Sequence, residues 1–278
     1  MINLYGSIGF SLLKNHGNEL PDKILVLADM HSQLSYCSNY QKISDWLFSK
    51  ISNSNILLEE VPRDNVELKG LFDKSDHTRD LKNLFLKNPD IIHALDIRPF
   101  LIPFSWEIIQ FNSEIDIKLV DYLKLIDNFY SFNHIKFKEL LDDIYTQDYV
   151  NNNKLKLHYD VIKNSFLTEY KEKYRPYLDN HLSYLFKENI KVLEKLNKHL
   201  DNIMEYFIIS KIYQLKKDKK NIIIHAGLAH SEKVIFWLEI LYNYKIELSY
   251  GLNKIDDIHK NTISDGCLQL PKIIDKQF

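Results

Sequence analysis

Glycine and cysteine are scarce in this chain. Of its 278 residues, 7 are Gly and 2 are Cys, at Cys37 and Cys267. None of the glycines forms G-x-G-x-x-G or G-x-x-x-x-G-K-[ST], which excludes the dinucleotide fingerprint and the phosphate-cradling loop. Two cysteines are too few for a disulfide framework or a zinc ribbon. Far apart in sequence, they are expected as free thiols in a reducing, cytoplasmic setting. Charge of one sign is also lacking. Lys+Arg number 36 and Asp+Glu 38, a formal net charge of −2, so the basic excess of a nucleic-acid binder is missing and no nucleic-acid partner is expected. No apolar stretch approaches ~20 residues, so no transmembrane helix and no membrane role are expected. The start, MINLYGSIGFSLLKNHG, has a short apolar run but neither a basic n-region nor a small-residue cleavage site, and no signal peptide is expected. H-E-x-x-H and EF-hand loops are missing, and no G-x-S-x-G elbow surrounds Ser32 or Cys37.

What is present is enough to fold. The hydrophobic fraction is 45% and the charged fraction 27%, with 15 Phe and 17 Tyr to offset chain entropy by burial. The length suits one large domain or a domain with a sizeable insertion.

Four short apolar runs each end in polar residues. Ile24 to Ala28 ends in Asp29-Met30-His31, and Ile56 to Leu58 ends in Glu59-Glu60. Ile91 to Leu95 ends in Asp96-Ile97-Arg98, and Ile222 to Ile224 ends in His225, with Gly227 and His230 just beyond. Continuous apolar runs of this length predict strands buried on both faces, as in a parallel sheet. Helical patterns follow the first run (Ile43, Trp46, Leu47, Ile51) and the fourth (Val234, Ile235, Trp237, Leu238, Leu241), so the text alternates strand and helix. Between about residues 113 and 220 the chain is nearly free of Gly and Pro. There Leu182, Leu185, Leu193, Leu196, Leu200, Ile203 and Phe207 recur at helical spacing. The run from Lys216 to Lys220 reads as a solvated helix end. Lys245 to Tyr250 and Cys267 to Leu270 return to strand-like text. The expected fold is α/β: one domain over residues 1–278, with a mainly parallel central sheet flanked by helices. Residues 113–220 form a helical insertion before the last core strand.

In open α/β sheets, ligands bind beyond the carboxyl ends of the strands. Asp29, His31, Glu59, Glu60, Asp96, Arg98, His225 and His230 sit there. Such a set offers two chemistries: a divalent metal (Zn, Mn or Co) on His and carboxylate ligands, or a His base oriented by a carboxylate. Each residue also has a structural reading. Asp29 can cap the next segment, Arg98 can pair with Asp96, and His225 can be a core histidine. His93 is expected to pack. His77, His134, His158, His181, His199 and His259 are expected to face solvent.

At this point the pattern resembles a family. Asp29-Met30-His31 is similar to the G-E-x-H motif of erythromycin esterase-like and ChaN-like proteins, with Ala28-Asp29 in place of Gly-Glu. Gly227-Leu228-Ala229-His230 resembles the G-x-x-H motif of the TraB/Tiki branch of that superfamily, and Leu57-Leu58-Glu59 its second-strand motif. Asn202-Ile203-Met204 resembles the Arg/Asn-Met helix before the last His motif, although Asp201-Asn202 stands where the Arg is usual. The resemblance spans residues 20–245 in order and spacing. It implies an α/β core with a helical insertion, and Asp29, His31, Glu59 and His230 as site residues. The activities it implies are metal-dependent peptide cleavage, ester hydrolysis through a His-activated water, or haem binding. Asp for Glu shortens the carboxylate arm by one methylene, and misplacement on that scale costs ~100-fold in rate.

The expected function is therefore a hydrolase acting on a small molecule or peptide. His31 or His230 activates water, directly or as ligand to the metal with Glu59. Asp29 and Glu59 orient the imidazoles, and Arg98 stabilises an oxyanion or binds an acidic group. The rival is a non-catalytic protein of the same fold that binds a partner through its cleft or its Tyr- and Phe-rich insertion.

Overall fold

A computed structural model of the chain describes residues 1–17, 19–30, 35–61, 75–98, 116–131, 152–218, 220–258 and 266–278. His31, His134 and His259 lie outside them. The chain divides into two compact units: residues 1–62, 72–96 and 211–278 form the first, and residues 63–71 and 97–210 the second.

The first unit is built on a six-stranded sheet. The apolar runs become β3 (Lys23–Asp29), β5 (Ser54–Leu58), β6 (Ile92–Ala94) and β7 (Asn221–Gly227). Val26, Leu57, Ile92 and Ile223, each in the middle of its run, are fully buried. Covering such a side chain on both sheet faces stabilises by roughly 1.5–3 kcal/mol, which is why continuous rather than alternating apolar text marks these strands. The strand order is β6-β5-β7-β3-β2-β8. The first four run parallel; β2 (Gly9–Asn15) and β8 (Tyr244–Gly251) extend the sheet antiparallel. The last core strand therefore enters between the first two, with Asp29 paired to Gly227 and Leu58 to His225. A small second sheet has the order β4-β1-β9, with β1 (Ile2–Tyr5) between β4 (Gln41–Lys42) and β9 (Cys267–Leu270).

Helices complete this unit. α1 (Ile43–Phe48) buries Ile43, Trp46 and Leu47. α2 (Asp76–Lys87) starts at Ser75, whose side chain accepts from the Thr78 N–H, and buries His77, Thr78, Leu81, Leu84 and Phe85 on one face.

The second unit is helical where it is described. It holds α3 (Leu119–Tyr130), α4 (Asn153–Glu169), α5 (Leu182–Glu188) and most of α6 (Ile190–Leu215). Asn152 caps α4 by accepting from the N–H groups of Lys154 and Leu155. Phe129, Tyr130, Tyr159 and Phe166 form an aromatic core. His158 and His199 are buried in this unit rather than facing solvent. The polar text around them belongs to the opposite helix face, which local composition does not separate from the inner one. His181 is exposed, as expected.

The chain returns to the first unit near Lys211 and ends in β7, α7 (Leu228–Tyr242), β8, β9 and α8 (Lys272–Gln277). Among the described residues no helix is long and apolar enough to cross a membrane.

The expectation of free thiols is overturned as well. Cys37 and Cys267 form a disulfide, with Cα atoms 5.9 Å apart across a sequence separation of 230 residues. Sequence distance is a poor guide here, because Cys267 pairs with Tyr5 in the ladder of β9 and β1, and Tyr36, next to Cys37, stacks on that same tyrosine.

Candidate active site

Parallel strands deliver their carboxyl ends to one edge of the sheet. At that edge β5, β7 and β3 stand side by side, so Glu59, Gly227 and Asp29 become neighbours although Gly227 is the last of the three in sequence. The ladder continues one step past β5, where the Glu59 N–H donates to the His225 carbonyl at 3.0 Å. This places the Glu59 side chain at the start of α7.

Glu59 is buried, and its two oxygens have different surroundings. Oε2 accepts from the Gly227 N–H at 2.6 Å. Gly227 caps α7, so the carboxylate also lies at the positive end of the helix dipole. Oε1 is 3.5 Å from Nε2 of His230, which sits in the first turn of α7. The helix begins at Leu228. Gly227 has φ −53°, which any residue adopts, so its contribution is the N–H that meets Glu59.

Asp29 closes β3. Its Oδ1 is 2.9 Å from Nε2 of His77, and both side chains are about 1% exposed. The imidazole N–H donates to the carboxylate, the arrangement by which an acid fixes the orientation of a histidine. His77 Nδ1 is buried and has no protein partner among the described residues. The expectation that His77 faces solvent is thus corrected. It is the second residue of α2, and the first turn of a helix that follows a strand faces the same sheet edge as the strand ends. That positional rule was the available signal; the polar text of Asp76 to Asp80 concealed it.

His225 is a buried strand histidine. Its Nε2 donates to the Gly6 carbonyl at 2.9 Å, which fixes the proton on that nitrogen. Gly6 has φ +108°, and a Cβ there would lie 2.6 Å from Ile43 Cγ2 and 2.9 Å from His77 Cβ. Glycine therefore lets one peptide touch both imidazoles. A small pocket at this edge is lined by Asp29, Leu58, Glu59, Glu60, Thr78, Leu81 and His225. Asp96 is buried beyond β6, and its N–H donates to the Glu60 carbonyl at 2.9 Å. His93 is half-buried in β6. Burial and the nearby Lys211 ammonium lower its pKa to about 4, against a smaller upward pull from Asp218.

Of the expected site residues, Asp29, Glu59 and His230 come to this edge. His31 lies outside the described residues. Arg98 belongs to the second unit, where its guanidinium donates to Asp201 at 2.7 Å. Among the described residues, no three His, Cys, Asp or Glu side chains group closely enough to hold a metal ion. The expected metal set of His31, Glu59 and His230 thus has two described members, 3.5 Å apart. Two ligands about 2.1 Å from one tetrahedral cation are separated by roughly 3.4 Å, so this pair fits such an ion.

No family model matches the chain, and no curated protein or solved structure does either.

Proposed function

We propose that the chain is a hydrolase whose reaction centre is the C-terminal edge of β3, β5 and β7. One observation carries this: two carboxylate–imidazole pairs, Asp29 with His77 and Glu59 with His230, stand at the ends of β3 and β5, on either side of β7, beside a small pocket. Such pairs suit general-base activation of water. The imidazole takes the water proton while the carboxylate orients the ring and stabilises its charged form. The hydroxide then attacks an ester or amide carbonyl of a small molecule or peptide. If a divalent cation (Zn, Mn or Co) takes part, Glu59 and His230 are its described ligands and His31 the third. Arg98 is left out, because Asp201 already engages its guanidinium.

A second reading has its own observation. Asp29 and His77 are almost wholly buried, as a structural pair would be in a protein that binds a partner without turnover.

The test is hydrolysis of a panel of short-chain esters and peptides, with and without added Zn, Mn or Co. The expected result is turnover that falls ~100-fold or more in His230→Ala and in Asp29→Asn. Turnover by wild type that both variants retain in full would reject the assignment of the site. Absence of turnover on every substrate class would favour the binding protein.

A further inference from the structure

We propose that Cys37–Cys267 is a reversible thiol–disulfide site that controls the geometry of the candidate active site, with a dithiol as its reductant. This names a regulation of that same site and rests on the hydrolase reading only for its effect on turnover. Three observations carry it.

The first is access. Both half-cystines are partly exposed, and the neighbours Ser35, Tyr36 and Ser38 are exposed. Cys37 belongs to no helix or strand. An attacking thiolate can reach such a bond, and exposed disulfides are the labile class.

The second is a short path to the site. Cys267 pairs with Tyr5 in the ladder of β9 and β1. Next to it, the Gly266 N–H donates to the Ser35 carbonyl at 3.1 Å, while the Gly266 carbonyl accepts from the Gly6 N–H at 2.9 Å. The Gly6 carbonyl then accepts from His225. Two residues, Gly266 and Gly6, thus link the disulfide to a site imidazole.

The third is the aromatic strap. Tyr36, next to Cys37, stacks on Tyr5 with ring centroids 4.4 Å apart, and Tyr40 stacks on Tyr36 at 5.4 Å. The Tyr36 hydroxyl donates to Asp76, the residue before His77. The segment tied down by the disulfide therefore also holds the first turn of α2.

Opening proceeds by exchange. A thiolate of the dithiol attacks one sulfur, the Cys37–Cys267 bond breaks, and a mixed disulfide forms. The second thiol displaces it, leaving the reductant as its own disulfide and the protein with two electrons and two protons more. The fold survives, because β1 keeps its backbone ladders to β4 and β9 without the sulfurs. What loosens is the strap from Ser35 to Tyr40, and with it the constraints on His77 and His225.

The experiment uses the full chain, first as purified under air and then with dithiothreitol. Alkylation under denaturing conditions, read by mass, counts thiols: none before and two after is expected. Imidazole proton resonances of His77 and His225 shift on reduction and return on reoxidation. The Cys37→Ser/Cys267→Ser variant shows the reduced-state resonances with or without dithiothreitol. Two thiols before any reductant, unmoved resonances, or reduction that cannot be reversed would each overturn the proposal. These readouts need no substrate, so the switch and the hydrolase can fail separately. If turnover is found, the two redox states are expected to differ about tenfold or more, since small displacements of reacting groups weigh heavily on rate.

Discussion

Asp29 and His77 are 48 residues apart in sequence and 2.9 Å apart in space, joined by a hydrogen bond inside the protein. One ends a strand and the other opens a helix, and neither belongs to a short motif that contains both. The bond ties α2 to the C-terminal edge of the parallel strands, so it bears on stability as well as on the candidate chemistry.

Replacing His77 with Leu keeps the volume roughly and removes a donor from a buried carboxylate. The expected cost is about 1–3 kcal/mol. Urea unfolding followed by circular dichroism measures it. A midpoint equal to that of wild type would show that the bond adds no net stability.

Glu59→Gln separates the structural from the chemical role of this residue. The amide oxygen still accepts from the Gly227 N–H, so the start of α7 is kept. Loss of the charge at the helix N-terminus costs about 0.3–1 kcal/mol. Turnover, in contrast, is expected to fall by roughly 10²–10⁴-fold, the usual range for a lost acid–base group or its orienting partner. A variant that is folded and fully active would remove Glu59 from the mechanism.

At Gly6 an added methyl meets Ile43 and His77 closer than 3 Å, in a backbone conformation with φ +108°. Gly6→Ala is expected to cost about 1–3 kcal/mol. In a chain of this size that corresponds to a fall in melting temperature of roughly 2–4 °C per kcal/mol. It should also disturb His225, whose imidazole leans on the same peptide. An unchanged melting temperature would mean that the turn relaxes without strain.

Acid should weaken the second unit through His158. Burial lowers its folded pKa from 6.5 to about 3. Between those values the unfolded chain binds a proton that the folded chain refuses, so stability falls as pH drops from about 6.5 toward about 3. The slope is at most about 1.4 kcal/mol per pH unit for this group. Unfolding midpoints at pH 7, 5 and 4 trace it, and His158→Phe should flatten the curve. An identical slope in that variant would assign the acid sensitivity elsewhere.

The sequence by itself determined the buried parallel strands. The runs ending at Asp29, Glu59 and His225 are short and apolar at consecutive positions, the pattern of strands covered on both faces. It also determined the helical stretch before the last core strand, since Leu182, Leu193, Leu200 and Phe207 repeat with the period of a helix face. From these two facts followed the sheet edge that gathers Asp29, Glu59 and His230. The tertiary structure alone decided the rest. The first residues of the chain form β1 and β2, because β9 and β3 offer them open ladders; their own text shows only a short apolar run. Strand order put β7 between β3 and β5 and so brought Gly227 to Glu59. The partners of His77 and His225, and the pairing of Cys37 with Cys267, depend on which distant segments pass each other and in what register. Local periodicity reports which face of an element is buried. It does not encode what lies on the other side of that face, because that is fixed only when separate elements pack.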